Sequence, residues 1–180
     1  LGQLQQVITQ NVDALHQAAG SKNVIDLHGR LDSVRCMKCG APMTRVRMDE
    51  LLHELNPNIK KDANHEFTPD GDAELEAAAD FRIPACPTCS GVLKPDVVFF
   101  GESVPQSRVE NAMARLDEAD ALLVAGTSLT VNSGLRFARR AARAGKPIII
   151  VNIGETKADE LATAKIEANT SQVLERLFID

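Results

Sequence analysis

The feature that most constrains the fold is a set of short, fully apolar segments that alternate with helical patterns. Residues 121–125 and 147–151 are almost continuously apolar, and each run ends at a Gly or an Asn. Between them, residues 134–144 have helical periodicity, and Gly145 ends the pattern. Strands without polar residues are typical of a parallel sheet that helices cover on both faces. We therefore predict an α/β fold built on a parallel sheet.

The same patterns predict further elements and a division of the chain. Strands are predicted at 7–9, at 24–27 and within 92–101, and helices at 14–19, 48–55, 104–116 and 173–177. A loop is predicted over 56–71 and a weak helix over 73–79. Because 31–91 interrupts the alternation, we interpret it as an inserted module. One domain then consists of 1–30 and 92–180, and the module of 31–91.

Composition excludes several classes of function. The chain has 180 residues, a formal net charge of −5, and neither Trp nor Tyr. This acidic balance, with scattered basic residues, argues against a surface for nucleic-acid phosphates. We expect the arginines of one predicted helix to form a solvated face; these are Arg136, Arg139, Arg140 and Arg143. No apolar run is long enough to span a membrane, so we expect no membrane partner. From the charge pattern, we also expect no nucleic-acid partner.

Polar residues follow two predicted strands at the point where each strand ends. Gln10, Asn11 and Asp13 come after the first strand, and His28 ends the second. Loops at the carboxyl ends of parallel strands line the ligand crevice of an open sheet. Helix capping is an alternative role for Asp13, but it leaves the two amides and the imidazole unexplained. The pattern favours a functional site at these strand ends.

All the cysteines lie in two Cys-x-x-Cys pairs. The four residues are Cys36, Cys39, Cys86 and Cys89, and Gly40 and Gly91 follow the pairs. Four thiolates without histidine make a closed structural Zn²⁺ site. A redox pair or two disulfides is the alternative, but two pairs of the same construction favour a metal. The pattern predicts one structural zinc and a reducing compartment.

Several motifs, in this order, resemble the sirtuin family of NAD-dependent protein deacylases. They are Thr-Gln-Asn-Val-Asp at 9–13, Asp-Leu-His-Gly at 26–29, the two cysteine pairs, Lys-Pro-Asp-Val-Val-Phe-Phe-Gly-Glu at 94–102, Gly-Thr-Ser-Leu at 126–129 and Asn-Ile-Gly at 152–154. The long gap between the cysteine pairs and the Ser133-Gly134 dipeptide are most similar to class II, mitochondrial-type sirtuins and their bacterial relatives. The resemblance implies a Rossmann-like parallel sheet with helices on both faces, and a small zinc-binding module.

The resemblance also implies a reaction. NAD is the implied cofactor, and an acylated lysine in a protein or peptide is the implied substrate. The acyl oxygen would displace nicotinamide, and His28 would act as general base on a ribose hydroxyl to give free lysine and O-acyl-ADP-ribose. Cofactor contacts are implied for Gln10, Asn11, Asp13, Gly126, Thr127, Ser128, Asn152, Ile153, Gly154 and Thr170. Contacts with an extended substrate peptide are implied for Val98, Phe99, Phe100, Gly101 and Glu102.

Several of these residues and functions have alternatives. Thr127 and Ser128 could cap the following helix, and Phe99 and Phe100 could lie half in the core. The same site could support protein mono-ADP-ribosyl transfer, or the chain could be a catalytically silent, zinc-stabilised interaction module. The compartment implied is the bacterial cytoplasm or, in a eukaryote, the mitochondrial matrix.

One expected motif of the family is missing from the sequence. No Gly-Ala-Gly-Ile-Ser-type loop on a first strand, the usual cradle for a dinucleotide, occurs in the 180 residues. We therefore expect these residues alone to bind NAD weakly or not at all. We also expect an uncovered sheet edge or apolar face that favours self-association.

Overall fold

The computed structural model describes residues 4–57 and 80–178. The predicted helix over 73–79 and most of the predicted loop over 56–71 lie outside the described residues. The strands are β1 (Val7–Thr9), β2 (Val24–Asp26), β3 (Gly29–Cys36), β4 (Pro42–Thr44), β5 (Leu93–Val97), β6 (Leu122–Ala125), β7 (Ile148–Val151) and β8 (Ala164–Ile166). The α-helices are α1 (Leu15–Ala18), α2 (Arg45–Leu55), α3 (Gln106–Glu118), α4 (Asn132–Arg143) and α5 (Thr170–Phe178).

The chain forms two compact units. The first consists of residues 1–11, 15–28 and 98–180, and the second of residues 12–14 and 29–97. The domain division predicted from the sequence, with an inserted module over residues 31–91, stays a prediction. None of the described helices has the length and hydropathy that a membrane span requires.

The first unit contains two parallel sheets. β1 pairs with β2, and β6, β7 and β8 form the second sheet in that order. Val124, Ile148 and Ile150 lie in the core with the apolar residues of α4. The opposite face of α4 carries the predicted arginines: Arg139, Arg140 and Arg143 are exposed and Arg136 is half-buried. The expected solvated face is therefore present.

One face of the β6–β7–β8 sheet is apolar and partly open. Leu123, Ile149 and Ile166 are 39%, 38% and 39% exposed. Leu123 on β6 pairs with Ile149 on β7, and Ile166 on β8 pairs with Val151 on β7. Within the described residues, β6 pairs only with β7. The structure thus exposes part of an apolar sheet face, and the self-association expected from the sequence stays a prediction.

The second unit is an antiparallel sheet with helix α2. β3 lies between β4 and β5, and Val34, Met48 and Leu93 form a small core with two of the cysteines. Helix α2 begins after Thr44, whose hydroxyl accepts a hydrogen bond from the backbone N–H of Arg47 (3.2 Å). The patterns did not predict β3, because few of its residues are apolar.

Candidate functional site

His28 follows β2 and is half-buried at the end of the strand. Its Nε2 lies 2.8 Å from the hydroxyl oxygen of Ser133, the second residue of α4. Burial lowers the pKa of His28 from its ordinary value of 6.5, and a hydrogen bond with the backbone of Gln10 opposes this effect. Since burial is the larger cause, the neutral imidazole persists to more acidic pH than in a free histidine.

A chain of polar side chains continues from His28 across the strand ends. The amide nitrogen of Gln10 lies 3.4 Å from the Ser133 hydroxyl oxygen, and the Thr127 hydroxyl donates to the Gln10 amide oxygen at 3.4 Å. Gln10 follows β1 and Thr127 follows β6, so the strand ends of the two parallel sheets meet here. The structure thus brings together the predicted residues Gln10, His28 and Thr127.

Two glycines of this site have different structural causes. A Cβ at Gly134 would lie 3.0–3.1 Å from the amide atoms of Gln10. Gly126 has a φ of +64°, and a Cβ there would lie 3.5 Å from the hydroxyl of Thr170. The left-handed turn at Gly126 is one that glycine adopts without the steric cost of a side chain. Close packing against Gln10 therefore explains the glycine at position 134, and the left-handed backbone explains the glycine at position 126.

The Asn152–Gly154 loop follows β7 in the same unit. Asn152 is buried, and its side-chain amide donates to the backbone oxygens of Ile153 (3.0 Å) and Gly154 (3.4 Å). Ile153 is 68% exposed. Thr170 begins α5, and its hydroxyl lies 3.4 Å from the backbone oxygen of Val151. These predicted residues lie at or beside the end of β7.

Two alternatives from the sequence are not supported. Helix α4 begins after Val131 with no side-chain cap, whereas the Thr127 hydroxyl accepts from the backbone N–H of Leu129 (3.2 Å). Capping of α4 by Thr127 or Ser128 is therefore wrong; the Ser128 hydroxyl instead contacts that of Thr130. The half-core placement is wrong for Phe100, which is 105% exposed, whereas Phe99 is 50% exposed.

The segment Val98, Phe99, Phe100, Gly101 and Glu102 lies in the first unit. The backbone N–H of Val98 donates to the backbone oxygen of His28 (2.9 Å), and Glu102 accepts from the N–H of Phe99 (2.9 Å). The backbone of this segment therefore begins directly beside His28. Asn11 is exposed in the same unit, whereas Asp13 is exposed in the second unit.

The four cysteines of the second unit form the candidate metal centre. The sulfurs of Cys36, Cys39, Cys86 and Cys89 all lie within 4.8 Å of one another. The Cys36–Cys89 and Cys39–Cys86 sulfur distances are 3.5 and 3.8 Å, too long for disulfides, which need about 2.05 Å. A tetrahedral Zn²⁺ with Zn–S bonds of about 2.3 Å sets its sulfurs about 3.8 Å apart. The cluster therefore fits a structural zinc.

The two cysteine turns have the same backbone construction. Gly40 donates to the oxygen of Cys36 at 2.9 Å, and Ser90 donates to that of Cys86 at 2.8 Å. Both donors have a positive φ, +73° for Gly40 and +57° for Ser90. Ser90, rather than the predicted Gly91, is thus the counterpart of Gly40. A backbone hydrogen bond of Cys39 lowers the pKa of Cys36 to about 6, whereas a side-chain hydrogen bond with Cys39 raises the pKa of Cys89 to about 12.

Gly91 is required for a different reason. A Cβ at this position would lie 2.7 Å from Cβ of Lys38 and 2.9 Å from the sulfur of Cys36. A side chain here would therefore displace a cysteine of the cluster. The sequence indicated a glycine requirement but not its cause.

The local sequence pattern indicates no role for Ser133 beyond its place in the Ser133-Gly134 dipeptide. Its contact with His28 joins residues that are 105 apart in the sequence. The same holds for Asp159 and Lys165, which contact the Asn152–Gly154 loop and its continuation. Their charges alone gave no indication of this contact.

Comparisons with known proteins agree with this geometry. The model of the Sir2 family matches residues 1–133. A protein of Xanthomonas campestris pv. campestris (strain 8004), named NAD-dependent protein deacetylase, is 57% identical over 175 residues, which are 96% of this chain and 59% of the relative. A protein of Bordetella bronchiseptica with the same name is 49% identical, over 96% of this chain and 64% of the relative. The chain thus spans about three fifths of the length of the curated relatives it matches.

Solved structures give the same result. A structure described as Sir2 with a p53 peptide and NAD⁺ has a TM-score of 0.72 and 31% identity, and the match covers 98% of this chain and 65% of that one. A structure described as Sir2 bound to acetylated peptide has a TM-score of 0.73 and 30% identity, with coverage of 98% and 65%. The fold is therefore the Rossmann-like α/β fold of sirtuins. From the match to the family model and the identity to the Xanthomonas relative, the chain belongs to the Sir2 family, the sirtuins.

Proposed function

We propose that this protein is an NAD-dependent protein-lysine deacylase that transfers the acyl group to ADP-ribose and releases nicotinamide. The observation that carries the proposal is the half-buried His28 at the end of β2, hydrogen-bonded to Ser133 and next to Gln10. Membership of the Sir2 family and the names of the relatives support the same activity.

His28 is the general base in this proposal. Its lowered pKa keeps the ring neutral near pH 7, which is the form that can accept a proton. Bound NAD would supply an electrophilic ribose carbon for the acyl oxygen, with nicotinamide as the leaving group. His28 then takes the proton of a ribose hydroxyl, and the residues around it hold the ring in place.

The polar groups of the first unit fit parts of NAD. Gln10 and Asn11 offer amides to the nicotinamide and its ribose, and Thr127, Asn152 and Thr170 lie at the other strand ends for the adenosine. We assign Gly126, Ser128, Ile153 and Gly154 to the same cofactor, whereas the cofactor contact predicted for Asp13 stays a prediction. The sequence contains no glycine-rich phosphate turn. Weak NAD binding by these 180 residues alone therefore stays a prediction.

The segment from Val98 to Glu102 is the proposed docking strand for the peptide substrate. The exposed Phe99 and Phe100 flank backbone that an extended peptide can pair with by strand addition. Because Val98 donates to the backbone of His28, a peptide bound along this segment brings its acyl-lysine toward the base. The zinc of the second unit is structural, since four cysteines leave no open coordination position.

The test is product analysis by mass spectrometry, using the complete protein, NAD and an acetyl-lysine peptide. We expect O-acetyl-ADP-ribose from the wild type and a loss of at least about 100-fold in His28→Ala, the usual size of a general-base contribution. His16→Ala, on α1, is the matched control and should retain wild-type turnover. Wild-type turnover in His28→Ala would contradict the proposed base.

The same reaction distinguishes the alternative activity. With NAD labelled in its adenosine half, label that stays on protein after denaturation would indicate mono-ADP-ribosyl transfer rather than deacylation. Label only in small-molecule products supports the deacylase. The bacterial relatives support the cytoplasm as the compartment.

A further inference from the structure

A half-buried ion pair lies beside the candidate site but belongs to none of its predicted residues. Nζ of Lys165, on β8, lies 2.7 Å from Oδ2 of Asp159, and the two side chains are 24% and 31% exposed. Asp159 begins a 3-10 turn, Asp159–Leu161, between β7 and β8. The pair therefore links the connection between these strands to β8.

Both members of the pair also hold the loop that follows β7. Asp159 accepts from the Thr156 hydroxyl (2.6 Å) and from the Thr156 backbone N–H (3.1 Å). Lys165 donates to the backbone oxygen of Gly154 (3.0 Å). Gly154 has a φ of +80°, so Lys165 fixes the carbonyl of a left-handed turn. The ion pair therefore forms hydrogen bonds with this loop at Gly154 and at Thr156.

A further hydrogen bond joins this loop to the neighbouring one. The backbone N–H of Lys157 donates to the oxygen of Ser128 at 2.9 Å. Through Thr156 and Lys157, the ion pair therefore determines the spacing between the loop after β7 and the loop after β6. Within the first unit, these are the two loops to which we assign the adenosine end of NAD.

The arrangement differs from an ordinary surface ion pair. Exposed pairs contribute little stability because water screens them and their side chains lose entropy. Here each charged group has additional partners on one loop, and hydrogen bonds to charged groups are stronger than neutral ones. Removal of either charge leaves loop groups without their partner, so the loop geometry should change more than the overall stability.

We propose that Asp159 and Lys165 are positioning residues for NAD: the pair holds residues 152–157 in the geometry that binds the adenosine half. This inference rests on the proposed function. Among the described residues of the first unit, no hydrogen bond or ion pair joins the pair to His28, so it should act on NAD affinity and not on acyl transfer.

The variants that test this are Lys165→Met, Asp159→Asn and Lys165→Arg in the complete protein. The first two remove one charge each, whereas the third keeps the cation. Arg140→Met is the control, because it removes a different ion pair of the first unit, that of Arg140 with Asp117 (2.8 and 2.9 Å). The control separates loss of any ion pair from loss of this one.

The readouts are the calorimetric Kd for NAD, the KM for NAD and for peptide, kcat, and amide hydrogen exchange of residues 153–157 without NAD. For Lys165→Met and Asp159→Asn we expect the Kd and KM for NAD to rise about 10-fold, the size of losing about 1.4 kcal/mol. kcat and the peptide KM should stay within about twofold, and loop amides should exchange faster. Lys165→Arg should recover most of the affinity, and Arg140→Met should leave it unchanged.

The outcomes separate this inference from the proposed function. If the wild type binds NAD tightly and both charge-removing variants have the same Kd, this inference is wrong and the proposed function is unaffected. Equal changes in Lys165→Met and Arg140→Met would also overturn it, since they would indicate a general effect on stability. A wild-type protein that does not bind NAD would overturn the proposed function and this inference with it.

Discussion

The hydroxyl oxygen of Ser133 lies 2.8 Å from Nε2 of His28. The side-chain amide of Gln10 donates to the same oxygen (3.4 Å), so the Ser133 O–H is available to donate to the ring. The ring also hydrogen-bonds the backbone of Gln10, an interaction that favours its protonated form. The imidazole is thus held from both sides, and Ser133 favours the tautomer with a lone pair on Nε2.

This relationship predicts the pH dependence of turnover. Since burial lowers the pKa of His28 below 6.5, the acid limb of kcat/KM should have its midpoint below pH 6.5. Ser133→Ala removes a donor to the neutral ring and should move this midpoint upward. The loss of about 1 kcal/mol for one hydrogen bond corresponds to a shift of about 0.7 pH unit.

The measurement is the pH profile of kcat/KM with saturating NAD, for the wild type, Ser133→Ala and Ser107→Ala. Ser107 is exposed on α3 and serves as the control for loss of a helix hydroxyl. An acid limb that stays in place in Ser133→Ala, or that moves downward, would show that Ser133 does not donate to the ring.

Gly134→Ala should separate stability from ligand binding. Alanine in a helix is favoured over glycine by up to about 1 kcal/mol, so Tm should stay constant or rise. The new Cβ, however, would lie 3.0 Å from the Gln10 amide oxygen, and Gln10 must move away from Ser133 and Thr127. We therefore expect a severalfold rise in the KM for NAD.

Thermal unfolding and the KM for NAD of Gly134→Ala provide the measurement, with Ser107→Ala again as control. Because Gln10 is a flexible side chain, a small shift suffices to relieve the contact. A variant with wild-type KM would mean that Gln10 keeps its position, or that this position does not matter for NAD.

The zinc module offers a pair of opposite predictions. Ser90→Gly should stabilise the protein by about 1 kcal/mol, because a side chain in the left-handed region costs that amount and glycine avoids it. Gly91→Ala should lower zinc affinity, because its Cβ would lie 2.9 Å from the sulfur of Cys36.

Zinc content by elemental analysis and zinc release to a chromogenic chelator measure both effects. Ser90→Gly should retain one zinc per chain and unfold at a higher temperature. Faster release is expected only for Gly91→Ala. Absence of zinc from the wild type, purified without chelator, would contradict the metal centre itself.

Local patterns predicted the parallel sheet of the first unit and the candidate residues. The apolar segments at β6 and β7 and the helical period of α4 are properties of neighbouring residues, so the sequence contains them directly. The cysteine pairs likewise identify their own ligand set, and the structure brings the four sulfurs together.

What the sequence did not predict depends on contacts between distant residues. β3 has few apolar side chains, and its pairing with β4 and β5 makes it a strand. Ser133 and Lys165 have ordinary local patterns, and only the fold brings them to His28 and to Gly154. The positive φ of Ser90 was also not predictable from the neighbouring residues, because serine does not indicate a left-handed turn.

The open apolar face of the β6–β7–β8 sheet gives the last prediction. Leu123, Ile149 and Ile166 expose 39%, 38% and 39% of their surface, and β6 pairs on one side only among the described residues. A free edge next to an apolar face favours association of chains. Residues 1–180 alone should therefore self-associate in a concentration-dependent way, as measured by analytical ultracentrifugation.

Leu123→Thr with Ile149→Thr tests the cause of this association. Threonine keeps a high strand propensity and makes the face more polar, so the sheet should persist while the association weakens severalfold. Leu31→Thr, at an apolar residue of the second unit that is 52% exposed, is the control and should associate like the unchanged chain. A chain that stays monomeric without these substitutions would contradict the prediction. Equal weakening by Leu31→Thr would show that the sheet face is not the surface through which the chains associate.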